Sequence, residues 1–271
     1  MTGTVFLGGG RITSALLAGL RMRDDPSQVI VHDRNPHKLR ALQREFGIVP
    51  EPELIAAVAQ APLLIIAVRP DAVAGVLERL NENATNWRAS MRGKIPLVGC
   101  SLAAGIPLAK LRAHLPIRWA RAMPSPVARA GRGLTAVTFA RDCPPAARRQ
   151  VNNFFARVGT VIEVPERKFD AFTVTYSASH GYHALATLAR AAQSLGLDRK
   201  TAHVAAAHAL ADGIFSWREG SEPLDALLHE AATPGGIAAT VMAAMDKSGY
   251  SLMVERGLRA GVARARKNAK L

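Results

Sequence analysis

Three consecutive glycines, Gly8-Gly9-Gly10, stand between an apolar run (Thr4 to Leu7) and an amphipathic one that opens near Ile12. With Arg11, Ile12 and Thr13 they spell Gly-x-Gly-x-x-small, Gly8 and Gly10 being the two glycines of the pattern. The first glycine permits a tight turn, the second lets backbone approach a pyrophosphate, and the small third position lets helix and strand pack closely. Phosphates would then sit on the first amides of the helix, where its dipole favours an anion. The next apolar run ends in His32-Asp33-Arg34, about 25 residues on, near the spacing of a ribose-reading group. Asp33 would accept hydrogen bonds from the ribose hydroxyls of NAD and repel the extra phosphate of NADP. Arg34 would stack on adenine or pair with that phosphate. Both cofactors, NAD and NADP, stay open, and Asp33 has the competing role of capping the helix that follows.

Other chemistry is thinner. His203 and His208 lie five apart on an alanine-rich segment, and no metal site is expected there. The serines lack convincing His and Asp partners, which leaves nucleophilic hydrolysis unsupported.

These residues need elements to position them. TVFLG, VIVHD, LLIIAV and PLVGCS read as strands, too short for helices and bounded by Gly, Pro or Asp. Between them ITSALLAGLRM, PHKLRALQREF, PELIAAVAQ and DAVAGVLERLNEN carry apolar residues at three- and four-residue spacing. This alternation with nearly all-apolar strands implies a parallel sheet covered on both faces. IRWARAM, LTAVTF and TVIEV extend it, with the helix PPAARRQVNNFFARV before the last. After about residue 164 the strands stop. Lys168 to Leu195, Arg199 to Trp217, Pro223 to Ala231 and Gly236 to Lys267 all read as helices. HVAAAHALADGIF is small and apolar around most of its circumference, and such a helix expects cover on several sides. The fold class is therefore α/β: a Rossmann-like dinucleotide-binding domain over 1–164, then an all-α dimerisation and substrate domain over 165–271.

Bulk properties agree. The chain has 271 residues, 49% of them hydrophobic, enough to bury a sizeable core. No apolar run is long enough to span a membrane, and the first residues lack the layout of a secretion signal. Cys100 and Cys143 are the only cysteines, so a reducing, cytoplasmic setting is expected rather than a disulfide framework. The net charge of +14 is spread along the chain, with one dense cluster in RARKNAK, Arg264 to Lys270. Aromatics are 5% of residues and none is interleaved with basic ones as base stacking needs, so nucleic acid is not the expected partner.

FLGGGRITSALLAGL, DRNPHKLRAL, LLIIAVRPDAV, SLAAGIPLAKL, RAMPSP, GRGLTAV and TPGG occur in that order. Together they resemble pyrroline-5-carboxylate reductase, from Val5 to about Gly249. The resemblance implies a Rossmann domain and a helical domain interlocked into a homodimer or larger homo-oligomer. It implies reduction of 1-pyrroline-5-carboxylate to proline, the last step of proline biosynthesis, by NADPH or NADH. It gives Gly8, Gly10, Arg11 and Ile12 the pyrophosphate, and Asp33 and Arg34 the adenosine ribose. Ala67, Val68, Arg69 and Pro70, with Ala103 and Ala104, would line the nicotinamide side. At position 69 the family's usual lysine is arginine, which keeps the charge but changes the donor geometry.

The substrate half departs from the pattern. The family's Met-Pro-Asn-Thr-Pro reads Met123-Pro124-Ser125-Pro126-Val127, and its Ser-Gly-Ser-Gly motif corresponds loosely to Ser177 and Ser179. After Pro-Gly-Gly the family places a threonine hydroxyl near the imine nitrogen, where this chain has Ile237-Ala238. Losing that hydroxyl removes a partner for the basic nitrogen formed by hydride addition. The substrate carboxylate still has Gly235, Gly236, Ile237 and Ala238 to bind, through exposed amides. His180, whose imidazole suits acid–base work, is the candidate replacement proton donor. Two other functions fit the same motifs: reduction of a different small imine or keto acid, or dinucleotide binding with little catalysis.

Overall fold

The computed structural model describes residues 3–25, 27–60, 62–90 and 97–270. Contacts divide the chain into one compact unit of residues 1–176 and 261–271 and a second of residues 177–260.

The first unit is built on eight strands: β1 (Thr4–Leu7), β2 (Val29–His32), β3 (Val49–Pro50), β4 (Leu63–Ile66), β5 (Val98–Ser101), β6 (Arg118–Pro124), β7 (Gly133–Phe139) and β8 (Gly159–Glu163). Their spatial order is β3-β2-β1-β4-β5-β6-β7-β8, parallel except where β7 runs against β6. Only a short 3-10 helix, Pro126–Ala130, separates that pair, too little chain for a parallel crossover. Of the strand expected over PLVGCS, Pro96 lies outside the described residues and Val98–Ser101 is β5.

Side-chain alternation sorts the apolar strands onto two faces. Phe6, Val29, Val31, Leu63 and Ile65 join one core, which α1 (Arg11–Met22), α2 (Pro36–Phe46) and α7 (Pro145–Ala156) cover. Val5, Leu7, Ile30, Leu64 and Ile66 join the other, beneath α3 (Leu54–Val58), α4 (Pro70–Glu82), α5 (Ala84–Ser90) and α6 (Leu108–His114). Trp87 and Trp119 fill that second core, and each indole N–H finds a main-chain carbonyl, of Leu80 and Leu115 respectively, at 2.8 Å.

After β8 comes α8 (Glu166–Thr175). The single helix expected from Lys168 to Leu195 is broken here, because the Tyr176 hydroxyl ties the chain to β7. It donates to the Leu134 carbonyl at 2.9 Å and accepts the Leu134 N–H at 3.1 Å. Ser177 is extended, and α9 (Ala178–Ser194) starts after it. The second unit continues with α10 (Arg199–Glu219), α11 (Leu224–Ala231) and α12 (Ile237–Lys247). The helix expected over Gly236 to Lys267 is also divided, at Gly249, before α13 (Tyr250–Asn268). Periodicity does not register a break of one or two residues. In this unit only Ala189, Ala202 and Ala206 are buried, while Phe215 and Ile237 are 66% and 86% exposed.

A buried cation ties α8 to the sheet. Arg121 on β6 is 2% exposed, pairs with Asp170 at 2.7 Å and stacks on the Phe169 ring at 4.7 Å. Arg121→Met is expected to cost about 2–3 kcal/mol in urea unfolding, because Asp170 is left without its partner but keeps some water. The double variant Arg121→Met/Asp170→Leu should recover part of that loss; additive losses would show the pair to be uncoupled.

Candidate active site

Four parallel strands end level with one another. Leu7 is paired with His32 and with Ile66, and Ile66 with Ser101. The residues that follow those ends are Gly8, Asp33, Ala67 and Leu102, so three of the four sequence-derived cofactor segments converge with the glycine loop. The chain leaves β1 toward β2 on one side and leaves β4 toward β5 on the other, which makes the carboxyl ends of this adjacent pair the topological switch point where open α/β sheets take ligands.

Gly8 has φ +111°, and a Cβ there would lie 2.6 Å from the Ala67 carbonyl oxygen. Its N–H donates to the His32 carbonyl at 2.8 Å, and its own carbonyl accepts the Thr13 hydroxyl at 2.6 Å. Gly9 N–H donates to Asp33 Oδ2 at 2.8 Å, and Asn35 N–H to Asp33 Oδ1 at 2.8 Å. The helix-capping role weighed for Asp33 belongs instead to Asn35, whose Oδ1 accepts from His37 N–H at 2.9 Å and Lys38 N–H at 3.4 Å. Burial works to raise the Asp33 pKa, but the Gly9 and Asn35 N–H groups and Lys38 outweigh it and leave the carboxyl below its ordinary value.

Gly10 is the N-cap of α1, and no side chain caps the helix there. A Cβ on Gly10 would meet nothing within 4 Å. None of the described residues occupies that space, and it adjoins the first-turn amides of Arg11 and Ile12. Open room, orphan N–H donors and a helix dipole together fit a pyrophosphate. Arg11 and Arg34 are exposed and Ile12 half-buried. Ala67 and Val68 carry the chain from β4 to Arg69, the N-cap of α4, with Pro70 at its first position. The Arg69 side chain is 86% exposed and lies 3.3 Å from Asp71. Ala103 is buried, and its N–H donates to Ser101 Oγ at 3.2 Å, with Ala104 half-buried beside it.

The remaining candidates lie in the second unit. Gly235 adopts φ +76°, and Gly236 is the N-cap of α12, again without a side-chain cap. Ile237 and Ala238 open that helix, both exposed. Thr240, the hydroxyl one turn on, donates to the Gly236 carbonyl at 3.0 Å. Ser177 and Ser179 share a hydrogen bond of 2.5 Å at the start of α9. His180 stands beside them, exposed, with its N–H on the Ser177 carbonyl at 2.9 Å. The neighbouring Tyr176 spends its hydroxyl on Leu134. The motif reading passed over Gly9, whose Cβ would lie 2.9 Å from Leu42; the middle position of Gly-x-Gly carries no signal of its own.

The fold and this loop define a Rossmann-type dinucleotide-binding protein with a helical second domain. Residues 4–88 match the family described as NADP oxidoreductase coenzyme F420-dependent, and residues 166–268 match pyrroline-5-carboxylate reductase dimerisation. Both the second match and the relatives found along nearly the whole chain make it similar to the pyrroline-5-carboxylate reductase family. It is 29% identical over 257 residues to the pyrroline-5-carboxylate reductase of Corynebacterium melassecola, covering 92% of each chain. It is 29% identical over 287 residues to that of Mycobacterium tuberculosis, covering 98% of this chain and 96% of that one. The structure of Plasmodium falciparum pyrroline carboxylate reductase with NADP bound superposes with a TM-score of 0.84 at 17% identity, over 99% of this chain and 98% of that one.

The Asp33 clamp has a pH signature. A carboxyl with a lowered folded pKa stabilises the protein above its ordinary value of 3.8, and the gain is lost as pH falls through the folded value. Asp33→Asn should therefore melt below the unsubstituted protein at pH 7, with the gap closing as pH falls below about 4. A gap constant across pH would detach Asp33 from the effect.

Proposed function

We propose that this chain reduces 1-pyrroline-5-carboxylate to proline with NADPH or NADH, as a homodimer or larger homo-oligomer. The observation that carries the reading is the cradle at Gly8 to Ile12, open at Gly10 and free of any side-chain cap, in a chain similar to this family. In it Gly8, Gly10 and the Arg11 and Ile12 amides hold the pyrophosphate. Asp33 keeps lone pairs for a ribose hydroxyl beside the Gly9 and Asn35 N–H groups and the Lys38 ammonium 3.6 Å from Oδ2. Arg34 is exposed at the adenosine end, and the two dinucleotides compete for the same pair of residues. The segments 67–70 and 103–104 take the nicotinamide side. A reduced nicotinamide held there supplies the hydride for the imine carbon.

In the second unit the amides of Gly235, Gly236, Ile237 and Ala238 receive the substrate carboxylate, at a helix start whose dipole favours an anion. Ser177 and Ser179 complete the substrate side. With a methyl at Ala238, no hydroxyl from that position reaches the amine formed by reduction, and His180 is the candidate to supply its proton. The surroundings are a reducing cytoplasm, in keeping with two buried thiols that form no disulfide. Among the described residues no helix is long and apolar enough to cross a membrane.

The deciding measurement follows NADPH or NADH oxidation on mixing the purified chain with pyrroline-5-carboxylate. Turnover is expected, and cofactor binding without turnover would overturn the reading. Ala238→Thr should raise kcat about tenfold or more by restoring a donor at the nitrogen. His180→Gln should lower kcat at least about tenfold at neutral pH. Unchanged activity across pH would remove His180 from the mechanism.

A further inference from the structure

The basic run Arg264 to Lys270 has no part in the chemistry above, yet it is built into the cofactor-binding unit. Ala265 is buried, and its carbonyl oxygen would stand 2.4 Å from a Cβ on Gly105, a residue at φ +81°. Asn268 Nδ2 donates to the Ala104 carbonyl at 3.2 Å. The Ala269 carbonyl accepts from Lys110 Nζ at 2.9 Å, a cation at the negative end of α13. All three contacts fall on the loop between β5 and α6, or on the first turn of α6. Glu166 of α8 holds the far end of that loop, its Oε1 accepting the Leu108 N–H at 2.7 Å.

We propose that the last turn of α13 is a clamp on the nicotinamide-side loop, with Asn268 as its positioning residue. The proposal rests on the assignment of Ala103-Ala104 to the nicotinamide side. Ala-Ala-Gly offers a ligand little besides its peptide groups, so the orientation of those groups is what the loop contributes. A planar trans peptide points its C=O and N–H in opposite directions. Holding the Ala104 carbonyl on Asn268 therefore aims the Gly105 N–H away from the tail. A carbonyl released from Asn268 leaves that peptide free to rotate, and the loop then meets the cofactor in several orientations.

The test compares two ligands on the purified full chain. One is NADH or NADPH, followed by its nicotinamide fluorescence. The other is the matching ADP-ribose or 2′-phospho-ADP-ribose, which lacks nicotinamide, followed by calorimetry. Asn268→Ala should weaken the reduced dinucleotide about fivefold, the worth of one neutral hydrogen bond, and leave the truncated ligand unchanged. Lys110→Met should shift the same ratio in the same direction, and it carries the test if Asn268→Ala fails to fold. Equal weakening of both ligands would reduce the contact to a fold support and overturn the proposal, as would no change in either. If the unsubstituted chain binds both ligands equally well, the nicotinamide-side assignment itself fails and the clamp falls with it. If it prefers the reduced dinucleotide and only the variants show no effect, the clamp alone fails.

Discussion

Gly8 has no room for a side chain, and the cofactor-binding unit is arranged around that fact. Its backbone lies against the Ala67 carbonyl so closely that a Cβ would overlap it. The same residue bonds β2 through its N–H and α1 through its carbonyl. Two strand ends and one helix start thus register on a single residue. With Gly9 held by Asp33, the turn is fixed from both sides before any ligand arrives. Such preorganisation lowers the ordering cost of binding a flexible dinucleotide.

A pattern repeats in both units: polar side chains are spent on structure, while helix-start amides go without a side-chain partner. Asp33 holds a glycine loop, Tyr176 and Thr240 bind carbonyls of their own chain, and Asn35 caps a helix. The first-turn amides of α1 and α12 have no side-chain cap. Amide donors survive changes in the side chains that carry them. On the proposed reading, this is why Ala238 can replace a threonine and still serve the carboxylate, while the proton must come from elsewhere.

The second unit poses a different physical problem. Its helices bury three alanines and leave large apolar side chains in water, a surface far beyond what a helical unit of this size sustains alone. Its match to a dimerisation family accounts for that surface. The hydrophobic helices were legible as needing cover from the lack of a polar face over HVAAAHALADGIF.

Patterns repeated over neighbouring residues were readable without the structure. Alternating apolar strands named the sheet, three- and four-residue spacing named most helices, and Gly-x-Gly-x-x-Thr named the turn that joins the first pair. Each of these reports a local free-energy preference, so local sequence carries it. The two helix breaks did not read, because Tyr176 is pinned by Leu134 on a strand 42 residues away and the other break turns on the single residue Gly249. The role of Asp33 was narrowed to ribose reading or helix capping by its position, and the structure gives the cap to Asn35 and ties Asp33 to Gly9. The tail read only as a dense basic cluster, since charge is all that RARKNAK displays. Only the folded chain brings Asn268 to Ala104 across 164 residues, a contact set by how the chain returns to its first unit and therefore invisible to any local pattern.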